Sequence, residues 1–374
     1  MKKIICVIIA ISLIVGLFII SGFGSSENTN VTVEDPSYYH HDFAGIELNV
    51  FNWGEYISEG GDGSLDVIAA FERQTGIKVN YTTYDSNESM YSKIESGSVS
   101  YDIIIPSDYM IARMRNEGLL KELDFSLIPN YKYIDDYYRN AYFDPENKFS
   151  VPYTAGMVGL IYNTKMVEEK PDSWGVMWDE RYKGNILTFD NSRDAFAIAQ
   201  FYLGIDVNTT NKTDWDKAAE KLKEQNPLLQ GRVMDQVFNK MQGGNAAIAP
   251  YYAGDYLTMA DINPDLSFVY PKEGTNIFVD SMCIPWNSKN YEAAHMFINF
   301  MLETEVALAN AEYICYATPH NGVLEHEDYS LAGNEYLYPE NLEEYNTTYY
   351  HDLDHDTKVY FEKLWEEVKN TKTQ

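Results

Sequence analysis

Between Leu48 and Ile57 the chain reads Leu-Asn-Val-Phe-Asn-Trp-Gly-Glu-Tyr-Ile, an alternating apolar run that breaks into a turn carrying Trp53, Glu55 and Tyr56 within four positions. Alternation with a period of two marks a half-buried strand. A strand that ends in two aromatic rings around a carboxylate can form half a site for an organic cation. Ring faces attract ammonium groups by roughly 0.5–2 kcal/mol, and a carboxylate adds a charge-assisted hydrogen bond. The plainer reading of the same residues is a core tryptophan that follows a strand.

The charge balance bears on which ligands such a site would meet. Among 374 residues, 57 are acidic and 28 basic, for a formal net charge of −29. That surface repels nucleic acid and anionic lipid, so no nucleic-acid partner is expected, and it draws cations toward any acidic cleft. It also serves plain solubility. Aromatic residues reach 14%, with 31 Tyr, which suits recognition of small molecules, carbohydrates included. Aromatics and paired acids are also the raw material of an exported glycoside hydrolase, but no acid stands out as a proton donor. G-x-S-x-G, P-loop and G-x-G-x-x-G patterns are missing, and no cofactor is expected. The run His351-Asp352-Leu353-Asp354-His355-Asp356 looks metal-like, yet Thr357 and Lys363 stand where a calcium loop needs Gly and Glu. An acidic helix start is the simpler reading.

Lys2 and Lys3 precede an apolar run from Ile4 to Ile20, which reads as an export signal. The run is about long enough to span a bilayer, so it is either cleaved or kept as a signal anchor, with the body outside the cytoplasm either way. Cys6 lies too early for a lipid-modified cysteine at the end of the run. Cys283 and Cys315 fall on the exported side without metal or redox spacing, and two small buried residues are the safer expectation.

The length suits two lobes. Residues 1–25 form the signal or anchor, and residues 26–45, polar and without period, read as a tether. A strand–helix alternation begins at Ile46. Strands are expected at Ile46–Asn52, Ile77–Tyr84 and Tyr101–Pro106. Helices are expected over Ser64–Gln74, from an Asp85/Glu88 capping pair to near Gly97, and from Ser107 to Glu117. This order predicts a mainly parallel α/β sheet. After a loop at 129–150 the chain restarts at Gly159–Asn163. Strands at Ile186–Phe189, Ala246–Ala249 and Ser267–Tyr270 follow, with helices near Trp174–Trp178 and at Asp194–Leu203, Asp214–Gln225, Asp235–Met241 and Tyr291–Leu302. Two lobes joined by crossing strands near Val151–Val158 and Asn276–Ile284 fit this layout. Lobe 1 takes 46–153 and 279–325; lobe 2 takes 154–278 and 326–374.

Six segments in order resemble the spermidine/putrescine-binding proteins of bacterial ABC importers: the Asn-Trp-x-Glu-Tyr turn, Val79–Glu88, Tyr101–Tyr109, Leu187–Asp194, Ala249–Asp255 and Lys272–Asp280, with Tyr316-Ala317-Thr318-Pro319 beyond them. The resemblance runs from about Ile46 to Glu366. It implies a two-lobe type II periplasmic-binding-protein fold, each lobe a mainly parallel sheet flanked by helices, with ligand held between lobes at strand ends. It implies a ligand site of Trp53, Glu55, Tyr56, Ser107, Tyr109, Asn191, Asp194, Tyr252, Phe278, Asp280 and Tyr316. The partners implied are putrescine or spermidine and an ABC permease, for a monomeric, non-enzymatic protein. Two departures stand out. Asn191 occupies a family carboxylate position, and Tyr252 and Phe278 stand where Trp is common. Fewer carboxylates tilt the expectation toward putrescine, which has fewer amines. A solute-binding protein for another amine or a sugar, or a sensor ectodomain, are the other readings.

Overall fold

The computed structural model describes residues 28–371. The apolar run that reads as a signal or anchor lies outside the described residues. The expected first strands form as β1 (Glu47–Trp53), β2 (Lys78–Tyr84) and a short β3 (Ile103–Ile104), paired in parallel in the order β2-β1-β3. Their helices start and stop where local chemistry directs. In Val67–Thr75 the Asp66 side chain accepts from Ala69 N, and Gly76 ends the helix at φ 71° in the left-handed region that glycine tolerates. The next helix, Asn87–Ser96, is capped by Ser86, which accepts from Ser89 N at 3.2 Å, rather than by the Asp85/Glu88 pair.

The second sheet is built on β4 (Val151–Asn163), a single strand of 13 residues that includes the expected restart at Gly159 without a break. It continues with β5 (Ile186–Phe189), β6 (Leu229–Val233), β7 (Ile248–Tyr252), β8 (Leu266–Val269), β9 (Thr275–Met282) and β10 (Thr347–Thr348), in the order β10-β9-β4-β7-β5-β6 with β8 also on β4. Strand β5 runs parallel to β6 and β7, and β10 parallel to β9. Strand β4 is antiparallel to β7, β8 and β9, so this sheet is mixed rather than mainly parallel. A chain that crosses between two halves and returns must run both ways. The β4–β9 pair is that crossing. Beyond it, Cys283 bridges to Ile104 and Pro285 to Leu120, which carries the strand onto the first sheet.

Two large apolar clusters fill the fold, one centred on each sheet and both reaching across to residues of the other. Leu48, Val50, Phe71, Phe297 and Phe300 fill the first. Phe189, Phe196, Trp215, Phe361 and Trp365 belong to the second, where the C-terminal helix His355–Asn370 stacks Phe361 on Trp215 at 4.8 Å between ring centres. That helix begins after Asp354, whose side chain accepts from Thr357 N, so His351 and His355 do not share a helical face. No cluster of three or more metal-ligating side chains occurs among the described residues. Cys283 is buried and Cys315 half-buried, both as free thiols.

Residues 28–45 are not a loose tether. Tyr39 is 2% exposed and donates its hydroxyl to Glu303 Oε1 at 2.6 Å, while Glu34 N donates to Glu303 Oε2 at 2.7 Å. Asn130 Nδ2 reaches the same carboxylate at 2.8 Å. One buried carboxylate therefore straps the N-terminal segment to the first sheet's helices, which polar composition alone conceals. Glu303→Ala strands these donors and is expected to lower stability by about 2 kcal/mol or more. Denaturant melts would check this, alongside faster proteolysis within residues 28–45.

Candidate functional site

The carboxyl ends of β1, β5, β7 and the middle of β9 face one cavity of about 830 Å³, including the solvent at its mouth. Open α/β sheets hold ligands at such strand ends. All eleven residues expected from the sequence line it.

The first-sheet side is set by Asn52. Its side chain accepts from Trp53 N at 2.8 Å and donates to Tyr56 O at 3.1 Å, folding the turn so that both rings face the cavity. Glu55 sits at φ 52° within this turn and takes a hydrogen bond from Tyr313 at 3.2 Å. Trp53 is fixed by its indole N–H to Ile105 O at 2.9 Å and by Tyr84, 4.6 Å away between ring centres. Ser107 stands at the start of the helix Asp108–Asn116, but its hydroxyl does not cap it. Asn87 Nδ2 donates instead to Ser107 Oγ and to Tyr109 OH, each at 3.1 Å.

Strand β9 supplies the floor. Asn276, Phe278 and Asp280 alternate with a period of two, so all three face the cavity. Tyr56 OH donates to Asp280 Oδ2 at 2.6 Å. Asp280 Oδ1 and Asn276 Oδ1 are buried without a partner. A buried acceptor without a donor is costly, more so on a carboxylate. Gly156, opposite Phe278 on β4, leaves room for that ring, because a Cβ there would lie 2.6 Å from Phe278 Cζ. Tyr252, Phe278, Tyr316 and Tyr56 follow one another edge to face at 5.5, 6.0 and 5.5 Å.

From the second sheet, Asn191 caps the helix Ser192–Leu203 and orients Asp194. Tyr252 OH and Tyr350 OH donate to the two Asp194 oxygens at 2.8 and 3.0 Å. Tyr316 OH donates to Asp255 Oδ2 at 2.9 Å. Asp255, Asp235, Asp108, Asp85, Asn276 and Tyr350 are cavity residues that sequence reasoning did not select. Asp255 lies inside the Ala249–Asp255 segment, and Asn276 shares the alternation of Phe278 and Asp280, so both were within reach of it. Tyr350 and Asp235 lie outside any motif.

The cavity's charge is lopsided. Glu55, Asp85, Asp108, Asp194, Asp235, Asp255 and Asp280 line it, against Arg193 alone. Arg193 lies over the Tyr350 ring at 4.8 Å and donates to Asn208 at 2.9 Å. Burial pushes Asp280 and Asp194 up to about 6, against the pull of the tyrosine hydroxyls. Burial also pushes Asp255 up to about 8, with Asp235 and Glu55 adding repulsion. Asn191 brings no charge to the cavity, and Asp255 and Asp235 line it as further carboxyl groups.

Comparison with known proteins places this architecture. The family model for bacterial extracellular solute-binding proteins matches residues 66–334. The chain belongs to that family. The binding protein is 34% identical over 295 residues to the spermidine/putrescine-binding periplasmic protein of Salmonella typhimurium, covering 78% of this chain and 83% of the relative. Among solved structures it resembles an ABC transporter protein of Listeria monocytogenes, with 39% identity, a TM-score of 0.83, and 87% and 99% of the two chains covered. The spermidine/putrescine ABC transporter substrate-binding protein PotD of Streptococcus pneumoniae aligns at 36% identity and a TM-score of 0.71, again over 87% and 99%. The fold is that of the type II periplasmic binding proteins, and the family binds solutes rather than catalysing reactions.

The raised carboxyls have a stability consequence. Folded, Asp255 keeps its proton to about pH 8, whereas its ordinary value is 3.8. Between those values the folded state holds more protons than the unfolded chain, so stability falls as pH rises through that window. Asp255→Asn is expected to raise the melting temperature of the ligand-free protein at pH 8. It should also flatten the melting profile between roughly pH 5 and pH 8, as read from thermal melts.

Proposed function

We propose that this protein is the extracytoplasmic polyamine-binding component of an ABC importer, which captures putrescine or spermidine between two lobes and delivers it to a membrane permease. One observation carries this reading: seven carboxyl groups and a file of aromatic rings line a cavity with a single resident guanidinium. A polyamine is a chain of methylenes bearing two or more protonated amines. Its methylenes suit the rings of Trp53, Tyr252 and Phe278, and its ammonium groups suit Asp280, Asp194 and Asp255. The unpaired Asp280 Oδ1 gains a charged donor, worth about 1.5–3 kcal/mol. Two or three such bonds with ring burial reach micromolar affinity, about −8 kcal/mol. The relatives named for spermidine and putrescine support the same ligand class.

In this reading lobe 1 comprises 46–153 with 279–325, and lobe 2 comprises 154–278 with 326–374. The lobes turn about β4 and β9. Tyr56, Ser107 and Asp280 on one side and Asp194, Tyr252 and Asp255 on the other engage one ligand only when the cleft is shut, so the ligand favours closure. The protein works as an exported monomer, sent out by its N-terminal apolar run, and performs no covalent chemistry.

Asp280→Ala is expected to weaken putrescine binding tenfold or more, since a charged hydrogen bond is worth about 1.5 kcal/mol or above. An unchanged dissociation constant by titration calorimetry would remove Asp280 from the site. In a thermal-shift panel, putrescine and spermidine should raise the melting temperature and neutral sugars should not. Stabilisation by sugars alone would overturn the polyamine reading.

A further inference from the structure

Residues 349–351, which lead toward the C-terminal helix, are gripped from both sides of the molecule. On the second-sheet side Asn208 clasps their backbone twice. Its Nδ2 donates to Tyr349 O at 2.8 Å, and its Oδ1 accepts from His351 N at 2.8 Å. Arg193, 3% exposed, donates to the same Asn208 oxygen at 2.9 Å and lies over the Tyr350 ring. The Tyr350 carbonyl, between these two bonds, takes its partner from elsewhere.

That partner is Tyr142, from the connection that leads into β4. Its hydroxyl donates to Tyr350 O. Its ring packs 5.5 Å from Tyr349 and 4.8 Å from His351 between ring centres. The buried Asp108 carboxyl stands beside the Tyr142 hydroxyl and is itself held by Tyr109 N at 2.6 Å and Val279 N at 3.2 Å. Burial first, and then Asp108, push the Tyr142 hydroxyl up, so it remains a donor. Tyr142 is not among the cavity's lining residues, but Tyr350 is. The Tyr350 hydroxyl donates to Asp194 Oδ1 at 3.0 Å. A long side chain magnifies any turn of its own backbone, so a bond on the Tyr350 carbonyl governs where that hydroxyl falls.

We propose that Tyr142 is a positioning residue for ligand capture: from the first-sheet side it fixes the backbone of Tyr350, and so holds the Tyr350 hydroxyl on Asp194, a carboxyl that meets an ammonium group. This rests on the polyamine reading and deepens it. Asp194 shares its surroundings with Tyr251 and Tyr252 of β7, Tyr350, and Arg193 on its own helix. Glu88, Tyr109 and Asp280 face it from the other elements. Burial pushes Asp194 up to about 6, and the Tyr252 and Tyr350 hydroxyls pull the other way. Without the Tyr350 bond Asp194 keeps its proton to a higher pH. A cation favours the ionised carboxyl, so affinity then falls sooner on acidification.

The test is calorimetry of putrescine and spermidine at pH 6 and pH 8 with the wild-type chain, Tyr142→Phe, Tyr350→Phe and the double variant. Tyr142→Phe should weaken binding about fivefold at pH 6 and less than about twofold at pH 8, as for a carboxyl that titrates near 6 and loses one of two hydroxyl donors. Near-normal binding at pH 8 certifies the fold. Tyr350→Phe should show the same pattern, and adding Tyr142→Phe to it should cost less than about twofold more, because the two act through one bond. If the wild type binds an amine but Tyr142→Phe matches it at both pH values, the inference falls and the polyamine reading stands. Weakening that is equal at both pH values, loss of the fold included, marks Tyr142 as a general support and also overturns it. So does a double variant that loses as much as the two single variants together. If the wild type binds neither amine, the inference and the polyamine reading fall together.

Discussion

Negative charge without a resident partner, held inside an aromatic cavity, is the constraint around which this molecule is arranged. Isolated carboxylates avoid such places, because water solvates them far better than ring edges do. Here the protein lowers the penalty only in part. Tyrosine hydroxyls reach Asp280, Asp194 and Asp255, and burial drives all three toward keeping their protons. A hydroxyl supplies a dipole, not a charge. The carboxyl groups are therefore left short of charged partners, and in the proposed function a multiply charged cation gains whatever the tyrosines leave undone.

The fold makes that arrangement possible by drawing the acids from distant parts of the chain. Strand β9 carries Asp280 on the face shared with Phe278, and β4 makes room for that ring with Gly156. Asp194 rides on a helix whose start is capped by Asn191. Tyr350, from the segment that leads to the C-terminal helix, comes back to hold Asp194. Because β4 and β9 cross between the two sheets, the walls share a covalent spine, and a change in their spacing changes the cavity directly. The N-terminal segment is held to the first-sheet side by Glu303.

Much of this was legible in the sequence, for identifiable reasons. Period-two runs mark β1, β2 and β9; the first two fall within one position of the expected strands and β9 within two. The turn at Trp53–Tyr56 announces its chemistry through residue type alone. Local signals failed where geometry is global. Asp235 and Tyr350 carry no motif, yet the fold brings them to the same cavity from sites far along the chain. Residues 28–45 looked like a tether because their composition is polar, but the buried carboxylate of Glu303, with bonds from Thr32 to Glu305 and from Tyr38 to Leu127, holds them to the body. The mixed second sheet was hidden too, because strand direction follows from the crossing of the chain and not from the pattern within any strand.

The central claim, that the cavity holds carboxyl groups which ionise when an ammonium ligand arrives, has a direct thermodynamic signature. Calorimetric titration with putrescine at pH 7, in two buffers of different ionisation enthalpy, counts the protons exchanged on binding. The account predicts binding with net proton release, because Asp255, poised near 8, and the carboxyls near 6 are drawn toward ionisation by the incoming charge. Heats that do not differ between the buffers, or that report proton uptake, would contradict it.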